Sequence, residues 1–192
     1  MPHFFSRCFL ISLAIFLGLG THSMTTNVLA DQTDWKKKLE TELAALGHRN
    51  WILVADSAYP AQTSSGIEVV VTNASHFEVL DAVFEALSRT SHVRPVLYLD
   101  AEQQYVADKD APGMDKFRKE LRERLKSKPA KSLPHMDLIM KLDEASKNFR
   151  VLVLKTTLTL PYTSVFLELD CGYWSPEAEA RMRDALKQGK GK

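Results

Sequence analysis

A histidine and an aspartate flank one short apolar run, and both side chains could take part in proton transfer. His48 precedes the run and Asp56 follows it in the segment LGHRNWILVADSAYPA. An imidazole titrates near neutral pH, and a carboxylate can accept a proton or bind hydroxyl groups. A structural interpretation is also open, in which His48 complements a helix dipole and Asp56 opens a turn. The spacing alone favours the structural interpretation.

The remaining histidines are weaker candidates for a site. His76 falls in the first turn of a predicted helix, where we expect a surface residue, and His92 falls in a loop. His135, beside Pro134, precedes another helix and could line a pocket, although the pattern favours the surface. The sequence has no histidine pair at helical metal-site spacing and no phosphate-binding or serine-nucleophile motif. We therefore expect no metal ion and no nucleotide.

Residues 1–30 have the pattern of a secretory signal peptide. Arg7 supplies a positive charge ahead of the apolar run CFLISLAIFLGLG, and VLA ends at Ala30 before the expected cleavage site. The run is shorter than the roughly 20 residues of a membrane-spanning helix. We expect an exported protein, periplasmic or secreted, with no membrane segment after cleavage.

The composition limits what the mature chain can be. Residues 31–192 are enough for a single domain with its own core. The 25 basic and 24 acidic residues nearly cancel, which argues against a nucleic acid or an anionic membrane as partner. Only Cys171 remains after cleavage, so the domain has no internal disulfide and depends on packing or assembly.

Helical and strand patterns alternate along the mature chain. The first helix is expected to begin at Thr33 or Asp34, to stop at Gly47 and to bury one apolar stripe, namely Trp35, Leu39, Leu43 and Leu46. Strands are predicted at WILVAD, IEVVVT, RPVLYLD, FRVLVLKT and VFLELD, and KPAKSLP is interpreted as a linker. A last helix is predicted over 176–188, capped by Ser175. The alternation predicts an α/β domain of three layers, α/β/α, with a mixed or mostly parallel sheet.

Two segments resemble the ribose pyranase/fucose mutarotase (RbsD/FucU) family. That family reads Leu/Met-Gly-His-Gly-Asp, an apolar strand and Asp-Ala-x-Phe-Pro, and Gly47, His48, Asp56 and Pro60 fall in register with it. The segment FRVLVLKTTLTLPYTSVFLELDCG resembles the family's terminal block, where Tyr162 matches the tyrosine of a Tyr-x-Asn motif. The resemblance covers roughly residues 38–173.

The resemblance implies isomerisation of a free aldose, such as ribose or fucose, without a cofactor. One group protonates the ring oxygen while another removes the proton of the anomeric hydroxyl. By this resemblance His48 is the main acid–base group, and Tyr162 binds the sugar and shares the proton transfer. Asp56 binds sugar hydroxyls or orients a proton-transfer group.

Several positions depart from the family pattern. Arg49-Asn50 replaces Gly-Asp, and Ser164 replaces the asparagine as a shorter substrate-binding group. Ile139 stands where many members carry histidine or arginine, with Lys141 and His135 as the nearest polar substitutes. These changes leave three hypotheses: an active mutarotase or pyranase, an inactive sugar-binding module on the same fold, and a structural or interaction protein.

The distance between His48 and Asp56 bears on assembly. Eight residues of extended chain span roughly 25 Å, which is too far for one monosaccharide. Either the segment folds back, or the pocket lies between subunits. The resemblance implies ring-like assemblies with shared sites, so we expect a homo-oligomer.

Overall fold

The computed structural model describes residues 25–189, and side chains from residue 34 onward. Most of the predicted signal peptide therefore lies outside the described residues. The first helix, α1, runs from Thr25 to Ala45, so the start predicted at Thr33 or Asp34 is wrong. Residues 25–32, TTNVLADQ, include neither proline nor glycine, so this stretch has no residue that interrupts a helix. Within the described range, no helix is both long enough and apolar enough to span a membrane.

Helices and strands alternate as the sequence predicts. After α1 the helices are α2 (His76–Ser88), α3 (Met114–Leu125), α4 (His135–Ser146) and α5 (Pro176–Lys187), with a short 3-10 helix at Ala101–Tyr105. The strands are β1 (Trp51–Ala55), β2 (Ile67–Val71), β3 (Val93–Asp100), β4 (Ala130–Leu133), β5 (Val151–Lys155) and β6 (Val165–Cys171).

The interpretation of KPAKSLP as a linker is wrong, because it contains strand β4. This strand has only four residues, AKSL, and none of them is fully buried. It pairs with the end of β3 at one edge of the sheet. A short, polar edge strand lacks the apolar run by which strands are recognised in a sequence.

The six strands form one mixed sheet in the order β2-β5-β1-β6-β3-β4. β1 is parallel to β5, which is parallel to β2, and β3 is parallel to β4. β6 lies between β1 and β3 and is antiparallel to both. Five strands therefore end at the same edge of the sheet, and β6 begins there.

Helices cover both faces of the sheet, which confirms the three-layer α/β/α fold. Ile52 and Val54 of β1 join the core beneath α1, α2 and α3, whereas Leu53 and Ala55 join the core beneath α4. The predicted apolar stripe of α1 is buried in the larger core: Trp35, Leu39, Leu43 and Leu46. α5 contains no buried residue and lies outside both cores.

The turn after α1 is closed by a side chain. α1 ends at Ala45, shortly before Gly47, and the N–H of Gly47 donates to Oδ1 of Asn50 at 2.7 Å. The left-handed residue in this turn is Arg49, with φ of 73°. A side chain in that conformation is strained by contact with its own backbone.

His76 is buried, so the expectation of a surface position is wrong. Only 3% of it is exposed, and its ring lies edge-on to Phe77 and Phe117. Neither ring nitrogen has a hydrogen-bond partner. Burial, aided by the Arg124 guanidinium, lowers the pKa of His76 from 6.5 to about 4. The first turn of α2 faces α3, which the sequence pattern of α2 alone does not reveal.

Candidate functional site

Polar side chains converge where the parallel strands end. Asp56 follows β1, Asp100 ends β3, and His135 follows β4. Because β6 is antiparallel, Tyr162 and Ser164 at its start come to the same edge. We call these five residues the carboxyl-edge cluster. Ligands commonly bind in α/β sheets at such an edge.

The centre of the cluster is a hydrogen bond between Asp100 and His135. Oδ1 of Asp100 lies 2.9 Å from Nδ1 of His135. The Asp100 side chain is 0% exposed and that of His135 is 35% exposed. A carboxylate only accepts hydrogen bonds, so the bond places the proton of a neutral imidazole on Nδ1. Nε2 is then left as a proton acceptor on a partly exposed ring.

The Asp100 carboxyl group lies in an unusual environment. Burial raises the pKa of Asp100, and the nearby carboxylates of Glu102 and Asp56 add smaller increases. The hydrogen bond from His135 acts in the opposite direction. The second oxygen, Oδ2, is buried without a hydrogen-bond partner. A buried acceptor in this state is costly, and such groups are frequent in functional sites.

Backbone contacts fix the position of His135. Both carboxylate oxygens of Glu102 accept the backbone N–H of His135, each at 3.0 Å. This contact caps the start of α4, where a negative charge is favourable. Glu102 therefore anchors the backbone of His135 while Asp100 orients its ring.

Tyr162 lies against the histidine ring. The two ring centroids are 5.5 Å apart and the planes meet at 85°. Tyr162 is 39% exposed, has φ of 54°, and its carbonyl accepts from Nε2 of Gln103 at 3.0 Å. Ser164 is only 4% exposed. A phenol and a partly exposed imidazole thus lie together at this edge of the sheet.

Asp56 performs the structural role that its spacing suggests. Its Oδ1 accepts the backbone N–H of Ala58 at 2.7 Å, which closes the turn after β1. The residue is half-buried, and its negative charge contributes to the raised pKa of Asp100. Its position in the cluster therefore leaves room for a binding role in addition to the turn.

His48 lies at the opposite edge of the sheet. It lines a cavity of about 440 Å³ together with Arg49, Arg94, Asp170 and Trp174. Arg94 donates two hydrogen bonds to Oδ2 of Asp170, at 2.7 and 3.1 Å. The Arg94 bonds lower the pKa of Asp170, with a small electrostatic contribution from His48. We call this cavity the His48 pocket.

The histidine that contacts the end of α1 is His92. Its Nε2 lies 3.1 Å from the carbonyl oxygen of Leu46 and 3.3 Å from that of Leu43. His92, rather than His48, therefore contacts the C-terminal end of α1. His48 itself is exposed.

The structure does not bring all predicted site residues together within one copy. β1 pairs in continuous register with β5 and β6, so the segment between His48 and Asp56 does not fold back. The five residues of β1 alone span about 16 Å. Asp56, Tyr162 and Ser164 share one edge, and His48 lies at the other.

Sequence reasoning missed Asp100 and undervalued His135. Both RPVLYLD and WILVAD end an apolar strand with aspartate, and this repetition is the signal that could have identified Asp100. The sequence pattern allows His135 to line a pocket but favours the surface, and it offers His135 as a polar substitute for Ile139. Ile139 is half-buried and packs in the core beneath α4. Lys141 is exposed, with Nζ 6.0 Å from the centre of the Tyr98 ring.

A match to a family model over the middle of the chain shows which family the protein belongs to. Residues 35–172 match the model of the RbsD / FucU transport protein family. The chain belongs to the RbsD/FucU family. The part of this RbsD/FucU protein that matches the family model ends at Gly172, and α5 follows it in the sequence. No curated protein matches the chain.

Solved structures of RbsD and FucU proteins resemble the chain at low identity. RbsD of Bacillus subtilis, complexed with D-ribose, is 19% identical with a TM-score of 0.48, over 68% of this chain and 89% of that one. The fucose mutarotase of Streptococcus pneumoniae, in complex with L-fucose, is 19% identical with a TM-score of 0.46, over 70% and 89%. FucU of Bifidobacterium longum is 18% identical with a TM-score of 0.46, over 68% and 90%.

Proposed function

We propose that this RbsD/FucU protein is an exported mutarotase or pyranase that interconverts anomers or ring forms of a free aldose. The observation that carries the proposal is the oriented His135 beside Tyr162 at an open sheet edge. Membership of the family supports a monosaccharide as the ligand. The sugars named with two similar structures, D-ribose and L-fucose, are the first to test.

The chemistry requires one base and one acid. The base removes the proton of the anomeric hydroxyl, the acid protonates the ring oxygen, and the bond between that oxygen and the anomeric carbon breaks. An open-chain aldehyde forms, turns about its first carbon–carbon bond and closes again by the reverse steps. These steps change no oxidation state, and each catalytic group regains its original protonation state. The reaction therefore needs no cofactor.

The carboxyl-edge cluster supplies groups for both roles. Nε2 of His135 is an acceptor as long as Asp100 holds the proton on Nδ1. Tyr162 presents a phenol that can bind the sugar and share the proton transfer. Asp56 and Ser164 offer oxygen atoms for sugar hydroxyls.

His48 completes the site from a neighbouring copy in this proposal. The two edges of one copy are too far apart to contact the same monosaccharide, whereas edges of adjacent copies in a ring can meet. His48 then acts as the main acid–base group on a sugar bound at the neighbour's carboxyl-edge cluster. The proposal therefore requires a homo-oligomer.

Magnetisation-transfer NMR on D-ribose, L-fucose and a small aldose panel tests the activity. We expect the wild type to accelerate exchange between anomers or ring forms, and His48→Ala and His135→Ala to lose most of the acceleration. His92→Gln is the matched control, because it keeps a donor at the end of α1 and lies outside the site. Wild-type acceleration that survives His48→Ala would refute the role of His48.

An inactive sugar-binding module is the second candidate. It is favoured by the half-buried Ile139, which occupies a position where many family members carry a basic residue. Saturation transfer from protein to sugar, without faster exchange between sugar forms, would support this alternative over catalysis.

Export forms a separate part of the proposal. Intact mass measurement of protein expressed with its full sequence, after cell fractionation, is the test. We expect an exported chain that begins at Asp31. A full-length chain retained in the cytoplasm would contradict export without affecting the proposed chemistry.

A further inference from the structure

The wall of the His48 pocket is made partly by residues outside the family match. Tyr173, Trp174 and the first turns of α5 close the cavity on one side. The family match ends at residue 172, so this wall is an addition to the RbsD/FucU core. The pocket of about 440 Å³ has room for a monosaccharide with a further substituent.

Most charged groups in the pocket already have partners. Arg94 is paired with Asp170, and Arg183 is paired with Glu179 through contacts of 2.7 and 2.6 Å. Glu179 also accepts from Nε1 of Trp174 at 2.7 Å. These contacts neutralise the two carboxylates in the wall.

Arg49 is different, since no carboxylate of the described residues forms an ion pair with it. Its guanidinium carbon lies 5.6 Å from the centre of the Phe149 ring, and the residue lines the pocket beside His48. The pocket therefore has an excess of positive charge at this point. A guanidinium is well suited to bind a carboxylate or phosphate with two hydrogen bonds.

The backbone at Arg49 strengthens this argument. Its φ of 73° is a conformation that glycine adopts without strain and other residues adopt at a cost. The family pattern has glycine at this position, whereas this chain has arginine. Strained residues of this kind cluster where function requires the side chain.

We infer that the substrate is an aldose that carries an anionic group, a carboxylate or a phosphate, bound by Arg49. The inference rests on the proposed function and narrows its substrate class. His48 and Arg49 line the same cavity, so a sugar held by its anionic group at Arg49 lies beside the proton-transfer histidine. Ser175 and Pro176, at the N-terminus of α5, also line the cavity. The positive end of the α5 helix dipole therefore favours an anion there as well.

The test compares neutral and anionic sugars of the same ring configuration. D-Galactose is paired with D-galacturonate, and D-glucose with D-glucuronate, its neutral methyl ester and D-glucose 6-phosphate. Binding is measured by calorimetry and exchange by NMR, at low and high salt. We expect a preference of about tenfold or more for an anionic sugar, because charge-assisted hydrogen bonds are the stronger class. The uronates and the phosphate show which anion the site accepts.

Variants of Arg49 separate charge from folding. Arg49→Gly removes the guanidinium and relieves the backbone strain, so we expect unchanged or higher thermal stability and loss of the preference. Arg49→Lys keeps the charge and retains part of the preference. Arg122→Gln removes one exposed positive charge on α3 that does not line the pocket, and we expect it to leave the preference intact.

The outcomes distinguish this inference from the proposed function. Exchange of neutral sugars with no gain for any anionic partner would overturn the inference alone. A preference for anions that persists in Arg49→Gly would also overturn it. Absence of binding and exchange for every sugar would overturn the proposed function, and the inference would fail with it.

Discussion

Nδ1 of His135 lies 2.9 Å from Oδ1 of Asp100, a carboxyl group that is fully buried at the end of β3. This pair gives a surface-accessible imidazole a fixed orientation and a fixed proton position. Orientation of a catalytic imidazole by a buried carboxylate is a recurring solution in acid–base catalysis.

Asp100→Asn should disturb the tautomer of His135. An asparagine can donate its amide hydrogen to Nδ1, which would move the imidazole proton to Nε2 and remove the acceptor. We expect exchange of the sugar to fall at least about tenfold, given the usual contribution of a general base. ¹⁵N NMR of the His135 ring reports the tautomer directly.

Glu102→Gln is the control for Asp100→Asn, since glutamine keeps a carbonyl oxygen for the backbone N–H of His135. We expect it to retain the tautomer and most of the rate. An unchanged tautomer and rate in Asp100→Asn would show that Asp100 has only a structural role.

Mixtures of two inactive variants should recover activity if sites are shared between copies. His48 and His135 lie at opposite edges, so a mixed ring of His48→Ala and His135→Ala contains some interfaces with both wild-type groups. Random mixing restores about a quarter of the activity if each interface holds one site. Refolding the variants together, followed by NMR exchange and light scattering, is the measurement. A strict monomer, or mixtures that stay inactive, would refute the shared site.

The buried His76 should make stability depend on pH. Its pKa is lowered to about 4 in the folded protein against 6.5 in the unfolded chain, so the unfolded state binds more protons between these values. The free energy of unfolding therefore falls as pH decreases through this window, by about 2 kcal/mol between pH 7.5 and pH 5. Urea unfolding of wild type and His76→Leu across this range checks the slope. Equal slopes in both proteins would show that other groups determine the dependence.

A chain that ends at Gly172 should keep its fold. α5 has no buried residue, and the backbone N–H of Gly172 still donates to the carbonyl oxygen of His92. No residue of α5 belongs to either core cluster, so its removal leaves the packing of the cores unchanged. We expect a small change in Tm and an opened His48 pocket, seen as faster modification of Cys171 by a thiol reagent. Loss of cooperative unfolding would show that α5 supports the core.

The apolar pattern of the sequence predicted the buried elements, such as strand WILVA and the buried stripe of α1. The apolar pattern did not predict β4, because this strand is stabilised by pairing with β3 rather than by an apolar composition of its own. Convergence of Asp56, Tyr162 and Ser164 on one edge required the strand order. The partnership of Asp100 with His135 depends on β3 and β4 being neighbours across 35 residues of sequence, which no local pattern encodes.

β6 also has a mechanical consequence. It enters the sheet next to Tyr162 and Ser164 and leaves it at Asp170 and Cys171, so a single rigid strand joins the carboxyl-edge cluster to the His48 pocket. In a closed ring, each copy would contribute one such rod between consecutive binding sites. In the proposed ring, a change at one end of β6 would reach the other end through a strand that is hydrogen-bonded to a neighbour on each side.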